Sequence, residues 1–331
     1  MKNLYVVDLT QDKSKLNPYI SNTLLNEIEN NLKNKSKTLL YINKRGAFNM
    51  VICKDCNNIE KCENCDLSMN AHSQIKKLIC HHCSYSKDYI LNCSKCSSTN
   101  VEYVWVWTQQ IQDTLEKHFS SARIFRMDTD TLKNKSQKIE ALENINNSDI
   151  VIWTKMMTTW FNFKNISTIW VILLEQELHV PKYDTEENVY SNIKQLIWRG
   201  WRVWQETNII IQTYIPNNNF INNIVNLNYK DFFISTLEER KMFNYPPFTQ
   251  MAYLNYKNTS KEKSISFMKE LYEKLKSLNN WENEIILVEN KKKRELYFIS
   301  TIIIKSQNPR TLLQVIKKDI FSNSDLVVVF E

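Results

Sequence analysis

The chain has 331 residues, 43% of them hydrophobic and 24% charged, with a formal net charge of +7. That balance is the make-up of a globular protein with room for two or three domains, and it excludes a disordered or low-complexity chain. The longest apolar run, at 169–174, ends at Glu175, far short of the ~20 residues that cross a bilayer.

The opening MKNLYVVDLT carries no apolar segment of signal-peptide type and reads as one strand. A cytoplasmic protein with no membrane partner is expected. Residues 39–42 form a short apolar strand entering a turn with two cations, Lys44 and Arg45. A cysteine-rich segment follows from about residue 50 to residue 96. Beyond it, 101–106 reads as a strand, and 108–119 as a helix with Ile111, Leu115, His118 and Phe119 on one face. A strand at 122–127 and a helix at 135–145 come next. The near-continuous apolar runs at 150–152 and 168–174 are the mark of strands buried on both faces of a parallel sheet. A helix at 187–198 and a strand at 208–214 complete an alternation that implies a parallel α/β lobe.

An asparagine-rich linker at 216–228 and the sequence Tyr-Pro-Pro-Phe at 245–248 lead into a different pattern. Strand 251–257, helix 261–278, strands 284–289 and 295–305, helix 309–320 and strand 325–330 give the βαββαβ order of a split-βαβ, ferredoxin-like domain. The basic run at 291–294 falls between two of these strands, as either a solvated hairpin turn or a charged binding stretch. The expected domains are therefore an α/β lobe from 1–50 and 97–227, a cysteine module at 51–96, and a C-terminal domain at 228–331.

All eight cysteines lie in four Cys-x-x-Cys pairs: Cys53/Cys56, Cys62/Cys65, Cys80/Cys83 and Cys93/Cys96. Such a turn places two thiolates on one side of a knuckle, and two facing knuckles supply a tetrahedron of sulfurs. Eight thiolates make two closed, structural four-thiolate zinc sites with none left over. A disulfide framework belongs to short secreted chains, and a redox site would use one pair rather than four. His72, His81 and His82 are not needed as ligands, since the thiolates fill both sites.

Two glycines and nine tryptophans are abnormal, because average usage would give roughly 23 glycines in a chain of this length. Several tryptophans fall where turns are expected, as at 151–154 and 199–202.

QLIWRGWR at 195–202 resembles the Q-x-x-G-R-x-G-R motif of superfamily 2 helicases, with Trp198 and Trp201 at glycine positions. IWTKMMTTWFNF at 152–163 resembles I-G-T-Q-M-x-A-K-G-x-D-F, and VWVWTQ at 104–109 resembles V-G-x-G-T-E. Joined in order with the 43–46 turn, the cysteine pairs, the segment 126–131 and the Tyr-Pro-Pro-Phe sequence, these motifs resemble the C-terminal half of the primosomal replication-restart helicases, the PriA family. Trp105, Trp107, Trp153, Trp160, Trp198 and Trp201 then stand on family glycines, and Trp170 and Trp204 fit the same pattern. A codon read as glycine in the source and written as tryptophan would account for both the deficit and the excess.

The resemblance implies a RecA-like second helicase lobe with an inserted two-zinc module and a ferredoxin-like C-terminal domain. It implies that Arg199 and Arg202 reach the ATP γ-phosphate across a cleft between two lobes, with Gln195 orienting on the nucleotide side. Thr154 and Lys155 would contact the DNA backbone. It further implies nested cysteine pairing, Cys53/Cys56 with Cys93/Cys96 around Cys62/Cys65 with Cys80/Cys83. Two zinc ions are expected in this chain, ATP with magnesium in the complete protein, and forked or single-stranded DNA, other primosome proteins and single-strand-binding protein as partners. The expected activity is ATP-dependent 3′→5′ DNA unwinding. The alternative is a non-enzymatic zinc-ribbon adaptor binding DNA or a protein partner.

The chain departs from the family in several places. No phosphate loop G-x-x-x-x-G-K-[ST] and no D-E-x-H box occurs in these residues, which implies a chain beginning after the first RecA-like lobe and inactive alone toward ATP. The family's D-x-D is Glu175-Gln176-Glu177, and its R-A-x-E-R segment is replaced at 184–188 with the loss of two basic residues. Both changes put DNA contacts of that helix in doubt.

Overall fold

The computed structural model describes the chain except residues 1–3, 13–15, 43–47, 65–66, 73–74, 81–84, 107, 128–134, 155–164, 179–181, 203–206, 280–282, 289–292 and 295–296. It divides into two compact units, residues 1–229 and 230–331.

The first unit opens with β1 (Leu4–Asp8), α1 (Asn22–Lys33) and β2 (Lys37–Ile42). The cysteine segment follows with β3 (Phe48–Cys53), β4 (Asn70–His72), β5 (Lys77–Ile79), β6 (Ser86–Asp88) and β7 (Val101–Val106). The chain then re-enters the lobe through α2 (Thr108–His118), β8 (Ile124–Met127), α3 (Lys135–Asn147), β9 (Ile150–Thr154) and β10 (Ile166–Ile172). The unit closes with α4 (Glu175–Leu178), α5 (Thr185–Arg202), β11 (Asn208–Thr213), α6 (Asn219–Val225) and the first residue of α7 (Tyr229–Met242).

Six strands form one sheet in the order β1-β11-β10-β2-β9-β8, and every neighbouring pair is parallel. The strands at its centre are largely apolar because helices cover the sheet: α1 packs on β2 and β10, and α5 on β10 and β11. Helix α1 starts at Ser21, whose hydroxyl accepts the Leu24 N–H at 3.1 Å, and it buries Leu24, Leu25 and Ile28. Its one buried polar side chain, Asn31, is satisfied by donating to Thr38 Oγ1 at 2.9 Å and Thr168 Oγ1 at 3.0 Å. One amide therefore ties the helix to two adjacent strands.

Residues 101–106 depart from expectation. They lie outside the parallel sheet and pair antiparallel with β3, from Phe48↔Val106 to Cys53↔Val101. This two-stranded stalk leaves the lobe beyond the end of β2 and returns to it at α2. Alternating apolar residues announce a strand but not its partner, which is why the sequence did not distinguish stalk from sheet. The asparagine-rich segment also differs, since it contains α6, capped by Asn218 and burying Phe220, Ile221 and Ile224.

The second unit takes most of α7, then β12 (Gln250–Asn258), α8 (Lys261–Ser277), β13 (Glu284–Val288), β14 (Lys293–Arg294), β15 (Tyr297–Ser306), α9 (Pro309–Val315), α10 (Lys317–Ser322) and β16 (Leu326–Phe330). Its antiparallel sheet runs β13-β15-β12-β16, the order expected of a split βαβ. Ala252, Leu254, Ile302 and Ile304 form its core with Met268 and Leu275 of α8.

The glycine deficit has a structural counterpart. Among the described residues, eight that are not glycine adopt positive φ: Lys35, Asn57, Lys76, Ser97, Asn165, Leu173, Leu227 and Asn244. None is a tryptophan. Trp153 lies inside β9 and Trp201 within α5, where turns had been expected, while Trp170 lies inside β10 and Trp198 within α5, as the strand and helix readings had it. Trp170 is fully buried, and its indole N–H has no hydrogen-bond partner among the described residues, which is uncommon for a buried tryptophan.

Candidate metal centre

The cysteine segment folds because each knuckle closes on itself. The N–H of the first cysteine donates to the carbonyl five residues on: Cys53 to Asn58 at 2.9 Å, Cys62 to Leu67 at 2.7 Å, Cys80 to Tyr85 at 2.8 Å and Cys93 to Ser98 at 2.8 Å. In the two outer knuckles the residue after the second cysteine is left-handed, Asn57 at φ 56° and Ser97 at φ 58°. Its N–H donates back to the first cysteine's carbonyl at 2.9 Å in both. Four stretches of unlike sequence thus share one closing hydrogen bond, and in the two outer ones the turn presents two thiols in one direction.

The structure brings Cys53, Cys56, Cys93 and Cys96 together, with all four Sγ atoms within 4.8 Å of one another. Cys53 Sγ lies 3.6 Å from Cys96 Sγ, and Cys56 Sγ 3.7 Å from Cys93 Sγ. Zinc–sulfur bonds of about 2.3 Å in a tetrahedron set sulfur edges near 3.8 Å, so the cluster fits that ion. Asp55 clamps the knuckles by accepting from Ser98 Oγ and from Asn100 Nδ2.

The thiols titrate unequally. Burial pushes the Cys53 thiol up, but the backbone N–H groups of Cys56 and Asp55 and the neighbouring thiols outweigh it and bring it down to about 7. Burial, together with the thiols of Cys96, Cys53 and Cys93, pushes Cys56 up to about 12. One sulfur ionises easily and makes the next harder to ionise, so a divalent cation is what allows the cluster to become fully thiolate.

Cys62 and Cys80 are buried in a small core with Val51, Met69, Ala71 and Leu78, under the three-stranded sheet β4-β5-β6. Cys65 and Cys83 lie outside the described residues, as do His81, His82 and Lys155. Thr154 ends β9, and Gln195 is exposed on α5. Arg199 and Arg202 occupy the last turn of α5, four and seven positions after Gln195, so the three positions share one helix stripe.

Two residues were not singled out from the sequence. Asn57 docks the outer knuckle on the lobe, donating through Nδ2 to the carbonyls of Asp12 at 3.2 Å and Thr10 at 3.4 Å. Glu60, only 3% exposed, accepts from Lys87 Nζ of β6 at 2.9 Å and from the Ser94 N–H of the outer knuckle at 3.3 Å. An asparagine directly after a Cys-x-x-Cys pair was a readable signal for the left-handed turn. Nothing in the sequence marks Glu60.

A parallel α/β lobe that carries a cysteine-knuckle module at one end of its sheet, followed by a split-βαβ domain, defines the class: a RecA-like lobe with a zinc-ribbon insertion. The comparisons with known proteins name the family. The PriA DNA helicase Cys-rich region domain matches residues 62–87, which span the inner two cysteine pairs. Replication restart protein PriA of Borreliella burgdorferi is 31% identical over 259 residues, covering 78% of this chain and 39% of that protein. The Bacillus subtilis protein of the same name is 28% identical over 255 residues, covering 76% and 32%. That of Synechocystis is 28% identical over 280 residues, covering 82% and 34%. Together these matches place the chain with the C-terminal half of PriA. It spans between 32% and 39% of the length of these three relatives.

Proposed function

We propose that the chain is the C-terminal half of an ATP-driven 3′→5′ DNA helicase that restarts replication in the cytoplasm. The observation that carries this reading is the similarity to replication restart proteins named PriA over about three-quarters of the chain. In this reading Arg199 and Arg202 present forked, permanently charged donors to the γ-phosphate of an ATP held with magnesium by another lobe. Gln195 orients on the nucleotide side. Thr154 and Lys155 contact the DNA backbone, which positions the strand without reading sequence.

Zinc is held by two closed sites, Cys53/Cys56/Cys93/Cys96 and Cys62/Cys65/Cys80/Cys83. The identical knuckle closure at all four pairs supports the second site as well as the first. With no open coordination position, the ions shape a rigid surface for forked or single-stranded DNA, single-strand-binding protein and other primosome proteins. The domain limits are 1–50 with 97–227, 51–96 and 228–331. Glycine at the family positions now written as tryptophan would let backbone N–H groups approach phosphate.

The reading is tested by assaying ATP hydrolysis with forked DNA. The purified chain is expected to be inactive, since these residues contain no phosphate loop. DNA-stimulated hydrolysis by the chain alone would contradict it.

A further inference from the structure

The outer cysteine site lies against the lobe, beside the loop that follows β1. That loop is held by hydrogen bonds within itself and to the elements around it. Asp8 accepts from the Thr10 N–H at 2.8 Å and the Thr10 hydroxyl at 2.7 Å, and the Gln11 N–H donates to the Asp8 carbonyl at 3.2 Å. Asp12 accepts from the Asn22 N–H at 2.7 Å, at the first turn of α1. The Leu9 N–H donates to the Thr213 carbonyl at the end of β11 at 3.0 Å. Thr213 in turn donates to the fully buried Glu175 at 2.7 Å. The loop therefore joins the ends of two strands to the start of a helix, at the carboxyl edge of a parallel sheet, where ligands bind in such folds.

Asn57 reaches this loop from the other side. It is 5% exposed, and its amide spans the carbonyls of Thr10 and Asp12. Its backbone is part of the knuckle, because its N–H closes on Cys53. The two knuckles of the outer site differ in this respect: Ser97, the matching residue of the other knuckle, is exposed. The first knuckle of the four-thiol site is thus built against the lobe, whereas in the second Cys96 and Ser97 face solvent and Cys93 is buried. On the module side, Glu60 carries the connection onward through Ser94 to Lys87 in the inner ribbon.

We propose that Asn57 is a positioning residue that makes the outer four-thiolate site a strut between the inner ribbon and the lobe. Metal occupancy of Cys53, Cys56, Cys93 and Cys96 then sets the order of the 8–12 loop. A metal that draws the two thiols inward reinforces the left-handed turn closed by the Asn57 N–H, and that turn aims the Asn57 amide at the loop. The inference rests on the metal reading of the four thiols and does not depend on helicase activity.

The test is amide hydrogen exchange on the full zinc-loaded chain, read at Leu9, Thr10, Gln11 and Asn22, with zinc counted in the same samples. Asn57→Gly keeps the left-handed turn and removes the amide. It is expected to retain the full zinc count and to raise exchange at these four positions about tenfold, the loss of roughly one net hydrogen bond. Cys96→Ser, at an exposed ligand, is expected to lose one zinc and give the same increase, with exchange in β5 and β12 unchanged. Unchanged exchange in Asn57→Gly, or loss of zinc from it, overturns the inference. An unmodified chain that binds no zinc defeats the metal reading and the inference together.

Discussion

Lys87 donates to Glu60 at 2.9 Å across the interior of the cysteine module, and this pair joins its inner ribbon to its outer knuckle. Burial raises the Glu60 carboxyl, but the hydrogen bonds from Ser94 and Lys87 outweigh it and hold the group below its ordinary value of 4.5. The native value is the depressed one, so the contribution is complete above the ordinary value and is lost as pH falls through the native one. Glu60→Gln is expected to destabilise the module by about 2 kcal/mol at neutral pH. Urea unfolding of both proteins, followed by amide exchange in β5 and β6, should show the difference shrinking below about pH 4.5.

Metal removal should act on the module and spare the second unit. The intact chain is expected to carry two zinc ions, Cys53→Ser one, and Cys62→Ser one. Elemental analysis of the three proteins decides this, and a chelator should abolish the exchange protection of β4, β5 and β6 while that of β12 and β15 persists.

In the lobe, Asn31 is a buried amide bonded to two strands. Asn31→Leu removes the amide from Thr38 and Thr168 and sets an apolar side chain beside both hydroxyls, of which that of Thr168 keeps its bond to Glu27 at 2.7 Å. A loss of about 2 kcal/mol in lobe stability is expected, whereas the exposed neighbour change Asn30→Leu should cost under about 0.5 kcal/mol. Thermal unfolding of the two variants separates them.

The tryptophan reading makes an opposite-sign prediction. Cutting a native buried tryptophan to a small residue ordinarily costs about 3–5 kcal/mol. A chain carrying glycine at 105, 107, 153, 160, 170, 198 and 201 is instead expected to melt higher than the written sequence. Glycine masses at 153, 160, 198 and 201 in peptides from the source cells would be the direct confirmation, and a lower melting temperature for the glycine chain would count against the reading.

These cases show which parts of the molecule the sequence expressed. The x-x spacing of the cysteines is local, so the knuckles were legible, and the unbroken apolar runs of β9 and β10 announced strands buried on both faces. Helix α1 was missed because its apolar residues Leu24, Leu25 and Ile28 are diluted by asparagine and glutamate, and Asn31 occupies a core position that pattern reading assigns to solvent. Strand β7 was recognised but given the wrong setting, since pairing with β3 depends on a partner about fifty residues away in the chain. Asn57 and Glu60 escaped for the same reason: their importance lies in what the fold brings beside them.

The most direct test of the central claim joins this chain to the N-terminal portion of the Borreliella burgdorferi relative and measures unwinding of forked DNA. The joined protein is expected to unwind with 3′→5′ polarity and to hydrolyse ATP on DNA. Arg199→Ala with Arg202→Ala should lower hydrolysis by about a thousandfold or more, the usual worth of such an arginine, with zinc content unchanged. Full activity in the double variant would contradict the assignment of these arginines, and a joined protein that binds zinc but neither hydrolyses ATP nor unwinds DNA would return the chain to the role of a zinc-ribbon adaptor.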